Sequence, residues 1–402
     1  MQVDVIIPTY RPGSEFGQLI SKLQKQEYPI HKIIIINTEV GEFLQMLESE
    51  PYQIEVTHIR QEEFDHGGTR NMGASISQAD IVLYMTQDAI PADNRLTERF
   101  VEVFKNNPEI GIAYGRQLPR EDCNIIERYT RRFNYPEKSR IKSKVDLPQL
   151  GIKTFFCSDV CAAYRRNYLL SAGGFEDPTI FNEDMIFAGK RILAGDKVAY
   201  VAEAKVIHSH NYTGNQQFHR NFDLAVSQAQ HPEVFEGVPS EGEGIRMVKA
   251  TAKYLIRSGQ PLEILNLIYQ SGCKYIGYFL GKRYEKLPKW VVLKCTSSIK
   301  YWKKQAKMNL SGHWGSAIAG VLAVGAVTFI GNILSIQLFP GSTLWPMVAG
   351  QVFVFVFSLI AMVFRAGYSY MLLNMARDRE VSLGNLLYLF HNGPDRVLVA
   401  GF

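Results

Sequence analysis

Residues Ile81-Val82-Leu83-Tyr84-Met85-Thr86-Gln87-Asp88-Ala89-Ile90-Pro91 decide the fold. The first five form an apolar run of strand length without polar alternation, the pattern of a strand buried on both faces in a parallel sheet. A polar triplet and then a proline end it, which puts Asp88 at the strand's carboxyl end. Open α/β sheets bind ligands at that edge, where loops vary while the strands stay fixed.

Upstream, strand and helix patterns alternate. Val3 to Tyr10 reads as a first buried strand that stops at Pro8, because proline cannot donate within a ladder. Phe16, Leu19, Ile20 and Leu23 then mark a helix with Ser14 as its N-cap. Ile33 to Ile36 form a second strand ending in Asn37-Thr38-Glu39, with a helix around Phe43, Leu44 and Leu47, and Ile54 to Ile59 form a third. Phe64-Asp65-His66-Gly67-Gly68-Thr69-Arg70-Asn71 opens the next helix. Its paired glycines read as a plain turn or as a mouth whose amides approach a phosphate, and Asp65, Arg70 and Asn71 around them favour the phosphate. Downstream, Leu96, Phe100, Val103 and Phe104 mark another helix and Ile112 to Tyr114 a short strand. These alternations predict an α/β fold with a mostly parallel sheet and right-handed crossovers.

Residues 116–153 are polar and weakly periodic, as in a loop over a site or a helical excursion. Phe155 to Arg166 is a strand-like run carrying Asp159, and Glu183 and Asp184 open a helix continued by Ile186, Phe187 and Ile192. Carboxylates in a first helical turn ordinarily complement the dipole. Adjacent helical residues point about 100° apart, so one of the two at most faces a given reacting atom, and we assign that role to Asp184. His208 and His210 follow a strand, and on extended chain they face the same side, as ligands of one metal ion must.

The 402-residue chain carries a net charge of +5, unevenly placed. No Asp, Glu, Lys or Arg occurs from Met308 to Phe364. Trp314 to Phe339 and Leu344 to Phe364 are each long enough to cross a bilayer, with Pro340-Gly341-Ser342 as the turn and Arg365 ending the second span. Lysines and arginines crowd residues 282–307. Beside an apolar span such a run favours anionic lipid over nucleic acid and predicts both ends in the cytoplasm. Five cysteines without paired spacing argue against a disulfide framework or a zinc module and for a reducing compartment. The start lacks the pattern of a signal peptide. The chain stops at Val397 to Phe402 within what reads as a further apolar element, the expectation for a truncated or fused product.

Met1 to Arg220 resembles glycosyltransferase family 2, enzymes of GT-A fold that use nucleotide-sugar donors. The likeness rests on Ile6-Ile7-Pro8-Thr9-Tyr10, Gly68-Thr69-Arg70-Asn71, Tyr164-Arg165-Arg166 with Gly173-Gly174-Phe175-Glu176, and Glu183-Asp184. Phe64 to Asn71, Thr86-Gln87-Asp88-Ala89 and His208-Ser209-His210-Asn211-Tyr212-Thr213 are similar to the family's bacterial rhamnosyltransferases. The chain also departs from the family. Its second strand ends in Asn37-Thr38-Glu39 where aspartate is common, and Thr86-Gln87-Asp88 replaces the usual Asp-x-Asp. Gln217-Phe218-His219-Arg220 is followed by Asn221 where processive synthases carry tryptophan, which argues for transfer of one or a few sugars.

The resemblance implies an inverting, metal-dependent transferase of L-rhamnose from dTDP-L-rhamnose. Asp184, with Glu183 beside it, is the expected general base. Asp88 with His208 or His210 is the expected site of a divalent cation, Mg²⁺ or Mn²⁺, and Thr86 and Gln87 offer neutral oxygens nearby. Pro8, Thr9, Tyr10, Asn37, Glu39, Asp65, Gly68, Arg70 and Asn71 are expected around the donor, and Asp159, Tyr164 and Arg165 around the sugar or acceptor. The implied partners are a glycan or lipid-linked acceptor and the membrane, with no nucleic acid; the implied place is the cytoplasmic face of the bacterial cell membrane, held by a multi-pass anchor. The expected domains are a GT-A domain over 1–222, a basic juxtamembrane helical region over 223–307 and a membrane-spanning region over 308–402. Another nucleotide sugar, or a non-catalytic scaffold that kept the fold, are the alternatives. Residues 332–402 also resemble an uncharacterised bacterial multi-pass membrane family, through Arg365-Ala366-Gly367-Tyr368 and the stretch from Arg377 to Phe390.

Overall fold

The computed structural model describes residues 1–39, 53–238, 241–341, 343–375, 379 and 381–392. It contains two compact units, Met1–Tyr301 and Trp302–Phe402. The first is built on a nine-stranded mixed sheet. Its strands are β1 (Val3–Tyr10), β2 (Lys32–Thr38), β3 (Ile54–Ile59), β4 (Ile81–Met85), β5 (Ile90–Pro91), β6 (Ile110–Leu118), β7 (Arg140–Lys142), β8 (Cys161–Arg165) and β9 (Lys197–Ile207). The order is β3-β2-β1-β4-β8-β6-β9-β5, with β7 also on β9. The strands β1, β2, β3 and β4 pair in parallel, β6 pairs in parallel with β9, and β8 is inserted antiparallel between β4 and β6. Six strands therefore run in one direction and deliver Tyr10, Thr38, Met85, Leu118 and Ile207 to the same edge.

The sheet is apolar on both faces, as its unbroken strands require. Val5, Ile7 and Leu83 enter one core with Leu19, Phe100 and Phe104, while Ile6, Val82 and Tyr84 enter the other with Ile186 and Phe187. The first layer comes from α1 (Glu15–Gln24) and α3 (Leu96–Asn106), the second from α2 (His66–Ile76) and α5 (Glu183–Leu193). Between α3 and α5 lies α4 (Ile125–Asn134), so residues 116–153 form a helical excursion with one short strand.

Several boundaries differ from the sequence reading. β1 continues two residues beyond Pro8; its pairing with β4 ends at Ile6, so proline stands where only β2 remains alongside. The strand-like run from Phe155 is a strand only from Cys161, with Ser158 and Asp159 in the turn before it. The helix read around Phe43 lies outside the described residues. Residue 222 falls inside α6 (Gly214–Gln230), because Thr213 and Gln216 form a capping box that starts the helix well before its apolar periodicity shows. The helices α7 (Glu241–Arg257), α8 (Glu263–Gly281) and α9 (Lys289–Cys295) complete this unit. A further helix, α10 (Ile299–Leu310), runs across its end.

In the second unit, α11 (Trp314–Leu338) and α12 (Leu344–Met375) have mean hydropathies of 2.1 and 2.4 and are long and apolar enough to cross a membrane. Arg365 does not end the second of these. Nothing in Arg365-Ala366-Gly367 interrupts the helical ladder, and Met371 and Met375 beyond it pack with Ala317 of α11.

Candidate active site

The common carboxyl edge of the parallel strands collects the candidate residues. Asp88 follows β4 and His208 follows β9, two strands that are not neighbours in the sheet. Asp88 Oδ2 lies 3.5 Å from His208 Nε2 and 3.2 Å from His210 Nε2, and the two imidazole nitrogens are 3.0 Å apart. Burial works against the Asp88 carboxylate, but the two histidines outweigh it and hold the group well below the usual carboxylate range. Burial likewise lowers the proton affinity of His208, as a metal-ligating imidazole requires. The backbone amide of His208 donates to Leu118 O at 2.9 Å, which continues the β6–β9 ladder into the ligand loop. Ser209 and Asn211 then fasten that loop: Ser209 Oγ accepts from the Arg120 amide at 3.0 Å, and Asn211 Oδ1 from the Asn124 amide at 2.9 Å.

Asp184 lies on the same edge. The Thr86 amide, just past β4, bonds Val160 O, and the neighbouring Asp159 amide donates to Asp184 Oδ2 at 3.0 Å. The two carboxylates of α5 diverge, as their adjacency on a helix demands. Glu183 is buried and pairs with Arg70 at 2.9 Å, which keeps it charged despite burial. Asp184 remains partly open and is pushed well above the ordinary carboxylate value by burial and by Glu183 and Asp159. Asn182, at φ +72°, turns the chain into this helix, and its Nδ2 is shielded without a hydrogen-bond partner, as is Thr86 Oγ1.

Other predicted residues at the edge are held in place by one another. Thr9 Oγ1 donates to Asn37 Oδ1 at 3.0 Å, the Gln87 side chain bonds both the amide and carbonyl of Tyr10, and Glu39 pairs with Arg11. Pro8, Thr9, Tyr10, Asn37, Glu39, Thr86 and Gln87 thus share the carboxyl end of β1, β2 and β4.

Seven further predicted residues are held by bonds within the protein. The Asp65 carboxylate is the N-cap of α2, accepting from Gly67 and Gly68 at 3.1 and 3.0 Å and from the Thr179 amide. Those two amides are engaged by the Asp65 carboxylate. The glycines are needed because an added Cβ would meet Glu176 O at 1.9 Å or Asp177 Oδ2 at 2.6 Å. Asn71 bonds the amide and carbonyl of Phe175. Arg70 is buried between Asp159, 3.0 Å away, and Glu183. Tyr164 is fully buried and donates to Asp159 Oδ1 at 2.6 Å; burial lifts that carboxyl to about 7. Arg165 lies at the opposite edge, since β8 is antiparallel and pairs it with the first residue of β4. There it donates to Ile110 O and Phe104 O.

Residues 4–171 match the profile of Glycosyl transferase family 2. The chain is 40% identical over 292 residues to the O-antigen chain rhamnosyltransferase RfbN of Salmonella typhimurium, covering 72% of this chain and 92% of that protein. The chain belongs to glycosyltransferase family 2. It is 39% identical to the O-antigen chain rhamnosyltransferase WbaN of Salmonella anatum, over 71% of this chain and 90% of that one. Among solved structures it is similar to the mannosyltransferase PcManGT from Pyrobaculum calidifontis in complex with GDP-Man and Mn²⁺, at 14% identity and a TM-score of 0.49, covering 71% and 88% of the two chains. The fold of this glycosyltransferase is the GT-A type, and the chain is an enzyme of that class.

Six residues of this glycosyltransferase were not among the expected site residues: Gln117, Arg131, Ser158, Phe181, Tyr212 and Arg220. His208 Nδ1 lies 3.0 Å from Gln117 Oε1, which also accepts from Arg131 of α4, and Gln117 Nε2 donates to Ser158 Oγ at 3.0 Å. A carbonyl acceptor at Nδ1 fixes the tautomer and leaves Nε2 its lone pair. The Tyr212 ring lies 5.0 Å from that of His210, and Arg220 sits over both Tyr212, at 4.7 Å, and Phe181, at 5.1 Å. Gln117 is the penultimate residue of a largely apolar strand. The polar terminus of β6 was the available clue.

Proposed function

We propose that this glycosyltransferase transfers L-rhamnose from dTDP-L-rhamnose, with inversion, to a hydroxyl of a lipid-linked or growing bacterial surface glycan, and needs a divalent cation to do so. The observation that carries the metal is the cluster of Asp88, His208 and His210, whose ligand atoms all lie within 4.8 Å of one another. Cis ligands about 2.1 Å from one centre stand about 3 Å apart, so the separations of 3.0, 3.2 and 3.5 Å fit a shared ion. Two imidazoles with one carboxylate suit Mn²⁺ better than the harder Mg²⁺. When bound, the cation supplies positive charge to a leaving diphosphate. The rhamnosyl donor is supported by the relatives, both O-antigen chain rhamnosyltransferases.

The chain's own residues supply the rest. Asp184, ionised, takes the proton of the acceptor hydroxyl as its oxygen attacks the anomeric carbon; the bond from that carbon to the diphosphate breaks, and dTDP leaves. A raised proton affinity makes Asp184 a better acceptor for that proton than an ordinary carboxylate. Thr9, Asn37 and Gln87 form the floor on which the donor lies, and Arg220 is the cation nearest the Phe181 and Tyr212 rings at its mouth. In this reading residues 1–222 carry the chemistry, 223–307 are juxtamembrane and 308–402 form a multi-pass anchor that holds the enzyme at the cytoplasmic face.

Purified protein in detergent tests this. With Mn²⁺ present, dTDP-L-rhamnose should raise the thermal midpoint and be hydrolysed slowly, and a lipid-linked sugar should accelerate release of dTDP. Stabilisation by a different nucleotide sugar alone overturns the donor, and full activity in chelator overturns the metal.

A further inference from the structure

Helix α8 has two apolar faces, and among the described residues only one is covered. On the inner side Gly277 and Gly281 let it lie directly on α6, since a methyl group at either would meet the carbonyl oxygens of Phe218 or Phe222 at 2.2 and 2.3 Å. Leu267 joins Ile126 and Leu255 in a small core with α4 and α7. On the outer side Leu262, Leu265, Ile268, Tyr275 and Ile276 are 53–82% exposed, and Trp290 of α9 is 63% exposed. Isolated exposed apolar side chains are ordinary, but a continuous stripe over about four helical turns is not. No Asp or Glu stands between Glu263 and Glu285, whereas Lys282, Arg283, Lys286, Lys289 and Lys294 gather at its end. Arg283 lies 3.8 Å from the centre of the Phe279 ring and Lys294 5.3 Å from that of Trp290.

An apolar stripe, an aromatic rim and a run of five cations interrupted by a single carboxylate, Glu285, match one partner. A second copy of the chain, itself carrying a net charge of +5, offers the basic rim no excess of negative charge to pair with. A bilayer with anionic headgroups accepts the apolar residues into its boundary and pairs with the lysines and arginines. We propose that the outer face of α8 and α9 docks in the plane of an anionic bilayer, a second membrane attachment besides α11 and α12. This rests on the reading of a membrane-bound transferase, and it concerns the first unit alone.

The test uses the full chain. With Trp302, Trp314 and Trp345 replaced by phenylalanine, Trp290 is the sole indole. In vesicles of phosphatidylcholine and phosphatidylglycerol carrying brominated acyl chains, its emission should shift to the blue and be quenched. Leu265→Glu with Ile276→Glu should lose most of that quenching. The unmodified chain gives a second reading: photoactivatable phosphatidylglycerol should crosslink within residues 262–295 as well as α11 and α12. Crosslinks confined to α11 and α12, or an unquenched Trp290 in a chain that is dimeric, overturn the proposal. Donor hydrolysis in detergent, measured on the same samples, separates the two readings. Its absence alongside a quenched Trp290 sinks the transferase and spares the docking face, and the reverse result does the opposite.

Discussion

Asp88 and Asp184 carry the same functional group and stand at the same edge of one sheet, yet their surroundings push them in opposite directions. Two imidazoles hold Asp88 ionised, ready to ligate. Around Asp184 the neighbours are Glu183 and Asp159, and the one cation among them, Arg70, is already paired with both. Where histidine faces aspartate the site attracts a cation; where carboxylates face one another it attracts a proton. The difference comes from which loops the sheet brings together, not from the aspartates themselves.

The sharpest break of this comparison is the pair Asp184→Asn and Asp88→Asn. The first should lower kcat by about 10²–10⁴-fold while leaving Mn²⁺ binding, followed by electron paramagnetic resonance, unchanged; the second should lose the Mn²⁺ signal itself. Arg70→Leu comes next. It leaves Glu183 and Asp159 without their counter-charge, so we expect a loss of about 3–5 kcal/mol in denaturant unfolding. Gln117→Leu should weaken Mn²⁺ binding by about 10–100-fold, because it frees the far nitrogen of His208 without touching the ligand atoms, and should cost about 1–3 kcal/mol of stability through the unpaired Arg131 and Ser158. The smallest effect is on pH. The base must be charged, and its proton affinity is raised, so kcat should fall on acidification at a pH above the usual carboxylate range. A profile flat down to that range would remove Asp184 from the role.

The cluster of Asp88, His208 and His210 was legible in the sequence because each member announces itself locally: Asp88 by the apolar strand it follows, His208 and His210 by their spacing after another. What brings them together is strand order, which periodicity does not show. The polar residues around Gly67 and Gly68 were misjudged for a related reason. A cap and an anion site offer the same residues on paper, and the loop from Phe175 to Thr179 that occupies Asp65 and Asn71 arrives more than a hundred residues later. Arg165 was placed at the wrong edge because nothing local reveals that β8 runs against its neighbours. Gln117 went unseen since its partner is His208, 91 residues away.

Helix α6 starts just after the His208–His210 segment and carries Asp223, whose carboxylate accepts from Thr296 Oγ1 at 2.6 Å and from the Ser297 amide at 2.9 Å. From Gly214 to Asp223 is about 14 Å of rigid helix at 1.5 Å per residue. That rigid span fixes the distance between the turn that bears His208 and His210 and the Thr296 segment that holds Asp223.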